Sequence, residues 1–131
     1  MPGTFEIKLP RSPEAARRAR TWMAGLDIPL SADRMHDLIL LANELVTNAV
    51  VHAEGKGKVA LRISVQGDAV RVEVSDPGEG IAGPRVKNPR PLDTSGRGLG
   101  MVGEVANRWG WRTENLTNVW FEFDRREPAN R

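Results

Sequence analysis

Between Val59 and Asp76 apolar and polar residues alternate through two runs, divided by Gln66-Gly67-Asp68. Val59, Leu61, Ile63 and Val65 share one parity. Val70, Val72 and Val74 share the next, with Arg71, Glu73 and Ser75 on the other side. Successive side chains of a strand point to opposite faces, so the pattern describes two half-buried antiparallel strands around a tight turn. A two-stranded hairpin is at best marginal in water, so this one needs further strands or a helical cover.

The flanking sequence offers both. Phe5 to Leu9 alternates as a short edge strand. Ser12-Pro13-Glu14 reads as a helix start, with Ser12 as N-cap and Pro13 at the first helical position; the helix runs to about Ala24 and ends at Gly25. A cap at Ser31 to Asp33 opens a long helix from about Arg34 to Ala53. Its apolar stripe is Met35, Leu38, Ala42, Leu45 and Ala49, widened by Ile39, Val46 and Val50. A third helix begins near Leu99, buries Val102, Val105, Ala106 and Trp109, and is closed by Gly110. Trp111 to Glu114 and Val119 to Phe123 form a last hairpin. This order implies an α+β two-layer sandwich, with a mixed, mainly antiparallel sheet and helices on one face.

The 131 residues fit one domain over 1–131. With no cysteine there is neither a disulfide nor a thiolate zinc site, as suits a reducing compartment. No signal peptide or membrane span is expected. The net charge is only +2, with acids and bases interleaved, which argues against direct nucleic-acid binding.

The parity of the second strand extends from Val74 to Asp76, so a carboxylate is aimed at the apolar face. That is costly unless the group is hydrogen-bonded. Two readings stand. Asp76 could organise the turn at Asp76-Pro77-Gly78, or it could accept a hydrogen bond from an exocyclic amino group such as that of adenine. On the long helix, Glu44 and Asn48 stack one turn apart beside the apolar stripe. An amide oxygen suits Mg²⁺, and a neighbouring carboxylate suits a general base. His52, a turn further on, is read as a histidine favoured by the helix C-terminus. Residues 77–95 lose periodicity among Pro77, Pro84, Pro89 and Pro91 and the glycines Gly78, Gly80 and Gly83. So long an irregular stretch reads as a functional lid. Ser95-Gly96-Arg97-Gly98-Leu99-Gly100 then leads directly into a helix, where backbone N–H groups and the helix N-terminus together favour phosphate.

In order and spacing these motifs resemble those of the GHKL superfamily, the Bergerat ATP-binding fold. Ala42-Asn43-Glu44-Leu45-Val46-Thr47-Asn48-Ala49 is similar to its N box. Asp76-Pro77-Gly78-Glu79-Gly80 is similar to its Asp-x-Gly-x-Gly box, and Gly96-Arg97-Gly98-Leu99-Gly100 to its glycine box. The resemblance covers about residues 5–124. It implies a histidine-kinase-like ATP-binding domain using ATP and Mg²⁺, with a lid at about 77–97. Glu44 would be the catalytic base and Asn48 the Mg²⁺ ligand. Asp76 would hold the adenine amino group, with Gly78 and Gly80 lining the base pocket. Arg97, Gly98, Leu99 and Gly100 would form the phosphate loop, and Thr117 would support adenine through water. Arg97 immediately precedes Gly98, whereas some kinases of the family place this arginine one residue earlier.

The short chain resembles the anti-sigma-factor serine/threonine kinases in particular. These are cytoplasmic regulators that bind a sigma factor and phosphorylate a STAS-fold anti-anti-sigma partner, and the resemblance points to a homodimer. The alternative is a non-catalytic module that binds ATP and a partner. A histidine-kinase catalytic domain shares the boxes, but His36 lies on the same expected helix as Glu44 and cannot belong to a separate acceptor helix.

Overall fold

The computed structural model describes residues 3–52, 57–76, 98–112 and 117–126; for His52, residues 98–101 and Thr117 it describes the backbone alone. The elements are β1 (Gly3–Leu9), α1 (Glu14–Ala24), α2 (Ala32–His52), β2 (Val59–Gln66), β3 (Ala69–Asp76), α3 (Gly98–Val105), β4 (Arg108–Arg112) and β5 (Thr117–Asp124). The strands form one sheet in the order β1-β2-β3-β5-β4.

The alternation read from the sequence becomes rows of apolar side chains across this sheet. Ile7, Leu61, Val74, Val119 and Trp111 stand side by side in register. So do Phe5, Ile63, Val72, Phe121 and Trp109. The strand side chains Leu61, Ile63, Val70, Val72, Phe121 and Phe123 are fully buried. Burial of each side chain of this size contributes about 1.5–3 kcal/mol, which makes the helix-covered face the principal core. Gly67 turns β2 into β3 with a φ of 57°, the left-handed conformation a two-residue hairpin loop demands.

The expected α+β architecture is present, with one correction. All four strand pairings are antiparallel, so among the described strands the sheet is not mixed. The physical reason is an insertion. β3 and β4 both run antiparallel to β5 and therefore parallel to each other, as strands flanking one helix do. Because β5 lies between them, no parallel ladder forms.

α2 packs against α1 and α3 as well as β2, β3 and β5. It is therefore buried over more than one stripe, and Leu41, outside the expected stripe, is fully enclosed with Leu38, Ala42 and Val46. Its cap falls within the expected Ser31 to Asp33 stretch, as the Arg34 N–H donates to Ser31 Oγ at 3.2 Å, and the helix opens two residues earlier than expected, at Ala32. At α1 the boundary falls one residue later than expected. Pro13, with φ −59° and ψ −17°, is the cap and Glu14 the first helical residue, with no side-chain cap hydrogen bond.

A larger correction concerns the third helix. α3 stops at Val105, and Trp109 and Gly110 belong to β4. The Asn107 N–H donates to the Glu122 carbonyl at 2.9 Å, which peels the chain off the helix and onto the sheet. Trp109 and Trp111 then share the inner face with ring centroids 5.7 Å apart. Gly110 does not close a helix. It lies under the Trp120 ring, where a Cβ would come within 2.9 Å of that indole.

Candidate nucleotide site

One end of the sheet gathers the candidate residues. There β1 ends at Leu9 opposite Val59, the first residue of β2, and β3 ends at Asp76 opposite Thr117, the first residue of β5. The C-terminal half of α2 reaches the same end, since β2 follows it after a short connection.

Asp76 points inward, as its parity requires, and is only 4% exposed. Its Oδ1 accepts a hydrogen bond from Arg11 Nη2, which makes a buried ion pair with side-chain exposures of 5% and 11%. Arg11 sits between β1 and α1, 65 residues from Asp76. No local spacing announces it. The only signal in the sequence is indirect, in that an inward carboxylate needs a donor from somewhere. Arg11 Nε and Nη1 are also buried, and neither has a hydrogen-bond partner among the described residues.

Asn48 is 8% exposed. Its amide Nδ2 donates to the Glu44 carbonyl at 2.8 Å, one turn back along α2. That bond engages one of the two amide N–H groups and fixes the orientation of the amide, whose oxygen is the atom suited to a cation. This is the donor chemistry that Mg²⁺ selects, since it binds oxygen and keeps several waters. The Glu44 side chain is half-buried. The other asparagine of the motif does different work. With its amide turned to satisfy both ends, Asn43 donates to the Ala16 carbonyl at 3.0 Å and accepts from Arg20 at 3.2 Å, tying α2 to α1.

Gly98, Leu99 and Gly100 form the first turn of α3. The opening N–H groups of a helix have no intrahelical acceptor, and its dipole favours an anion there. Thr117 is placed by its backbone directly across from Asp76. Gly78, Gly80 and Arg97, and the lid expected over about 77–97, lie outside the described residues.

Residues 9–123 match the family model described as the histidine kinase-like ATPase domain. The chain belongs to this family. The match runs from the last residue of β1 to Phe123 in β5, so the described sheet falls inside the histidine kinase-like ATPase domain except for Gly3 to Lys8 of β1 and Asp124 of β5.

The chain is 35% identical over 80 residues to the serine-protein kinase RsbW of Bacillus velezensis; the match takes in 57% of this chain and 50% of that protein. The chain thus corresponds to about half the length of the relative. The crystal structure of the RsbU and RsbW domains of Rv1364c from Mycobacterium tuberculosis superposes with a TM-score of 0.66 at 19% identity. It covers 93% of this chain and 32% of that one, which establishes a common fold. For a histidine kinase-like ATPase domain the nucleotide is ATP. Among the described residues, no helix is long and apolar enough to cross a membrane.

Proposed function

We propose that this chain is an ATP-dependent serine/threonine protein kinase of the anti-sigma-factor type. It would sequester a sigma factor and phosphorylate a STAS-fold anti-anti-sigma partner. The observation that carries the proposal is the inward carboxylate of Asp76 at the end of the sheet reached by the Glu44–Asn48 turn of α2. An enclosed acid suits the exocyclic amino group of adenine, and a hydrogen bond to a charged acceptor is worth about 1.5–3 kcal/mol. Thr117, opposite Asp76, extends the base subsite, and Gly78 and Gly80 would complete it. The α3 N-terminus at Gly98, Leu99 and Gly100, together with Arg97, would receive the phosphates.

Asn48 would hold Mg²⁺ through its amide oxygen. When bound, the ion would supply charge neutralisation across the phosphates. Glu44 would take the proton from the partner's hydroxyl as that oxygen bonds to the γ-phosphorus and ADP leaves. The kinase name of the RsbW relative supports phosphotransfer, and the small net charge supports a protein partner over nucleic acid. A single domain with a lid over about 77–97, acting in the cytoplasm as a homodimer, is part of the same reading.

The test is to incubate the protein with γ-labelled ATP and STAS-domain proteins of the same genome, and to look for phosphoserine or phosphothreonine. Labelled partner is expected from the wild type. Glu44→Ala is expected to bind nucleotide and lose the transfer. Transfer retained in Glu44→Ala removes Glu44 as the base. Binding of ATP and partner without labelling by the wild type selects the non-catalytic module instead.

A further inference from the structure

We propose that Arg11 is an internal competitor of the nucleotide. It occupies the carboxylate of Asp76 in the free protein and must leave for the adenine amino group to bind. This rests on the assignment of Asp76 as the base-binding acid and adds a control on that site.

Three observations carry it. First, the acceptor is shared. Arg11 Nη2 donates to Asp76 Oδ1, the carboxylate to which an exocyclic amine would donate. Second, the closed position of Arg11 is only partly satisfied. Among the described residues Nε and Nη1 are buried without partners, although a guanidinium offers five donors. Desolvation of those two nitrogens offsets part of the ion-pair attraction. Release into water restores their hydration, so the closed and open positions differ little in free energy, as a displaceable gate requires. Third, Arg11 lies between Pro10 and Pro13, in the connection from β1 to α1. Each proline holds its own φ near −65°, so the release is a rotation of the side chain rather than a movement of the connection.

The consequence is a reduced apparent affinity. When the competent state is a fraction of the population, the apparent dissociation constant rises by the inverse of that fraction. A gate closed nine-tenths of the time weakens nucleotide binding by about tenfold.

Two measurements test this. The first is titration of wild type, Arg11→Gln and Asp76→Asn with a fluorescent ADP analogue and with Mg-ATP. Arg11→Gln is expected to bind about tenfold more tightly than wild type. The second needs no variant. Phenylglyoxal labelling of arginines, mapped by peptide mass spectrometry, is expected to show Arg11 protected in the free protein and labelled several-fold faster with saturating Mg-ADP. A nucleotide that merely covered the site would protect it instead. Equal or weaker binding by Arg11→Gln, or unchanged or slower labelling of Arg11 with nucleotide, overturns the gate. If Asp76→Asn binds nucleotide as tightly as wild type, the base-binding role of Asp76 fails, and the gate fails with it. If only Asp76→Asn loses binding while Arg11→Gln matches wild type, the gate alone is wrong.

Discussion

Replacement of Asp76 by asparagine separates the two tasks assigned to this acid. In the free protein Asp76 pairs with Arg11, and both side chains are nearly enclosed. Asparagine keeps an oxygen that can accept from Arg11 but removes the charge. An orphaned buried charge would cost about 3–5 kcal/mol, but Arg11 can rotate into water, so the loss is that of one hydrogen bond to a charged group at the weak end of its range, about 1.5 kcal/mol. That agrees with a gate closed nine-tenths of the time, whose closed position is favoured by about 1.3 kcal/mol. For a domain of this size 1 kcal/mol moves the melting temperature by roughly 3–5 °C, so Asp76→Asn is expected to melt about 6 °C below wild type. The double variant Arg11→Met/Asp76→Asn removes both members, and a coupling of about 1 kcal/mol between the two sites is expected. The second task appears on adding ligand. Mg-ATP at 100 times its dissociation constant stabilises a binding protein by about 2.7 kcal/mol. Wild type should gain most of that, and Asp76→Asn almost none. Differential scanning fluorimetry with and without Mg-ATP reads both effects. Zero coupling in the cycle would refute the ion pair as a source of stability. A full Mg-ATP shift in Asp76→Asn would refute the acid as the adenine acceptor.

Three further outcomes follow from the fold. Gly110→Ala should cost about 1–3 kcal/mol, because its Cβ would lie 2.9 Å from the Trp120 ring; chemical denaturation reads this, and an unchanged midpoint refutes the contact. Ser31→Ala should cost about 0.5–2 kcal/mol by removing the cap on the Arg34 N–H, measured by the same assay, and no loss would exclude the cap. For Glu122, burial pushes its carboxyl up, but hydrogen bonds from Arg108 and Arg71 more than offset this and hold it below its ordinary value of 4.5. A depressed carboxylate contributes stability above the unfolded value and loses it as pH falls through the folded one, so melting temperature should begin to fall near pH 4.5. Glu122→Gln should flatten that acid limb, and an unaltered limb would assign it to other carboxylates.

How much of this was legible in the sequence depends on the range over which each feature is encoded. Period-two alternation needs only neighbours, so it located β2, β3 and the inward face of Asp76 without knowledge of the rest of the fold. The Ser31 cap is equally local. Around Trp109 two local signals overlap. Val102, Val105, Ala106 and Trp109 fit a helical face, while Trp109 and Trp111 fit one face of a strand. The choice between them is made by β5, through the Asn107–Glu122 backbone bond, and β5 lies ahead in the chain. The insertion of β5 between β3 and β4 is likewise a property of the assembled sheet. Arg11 is the extreme case. The sequence states that Asp76 needs a donor, but any of its many arginines and lysines satisfies that demand on paper. Only the topology, which ends β1 and β3 at the same rim of the sheet, selects Arg11. The demand for a partner is thus written locally while the partner is chosen globally. A substitution of Arg11 should accordingly act at the nucleotide site, although Arg11 lies in none of the three motifs that mark that site.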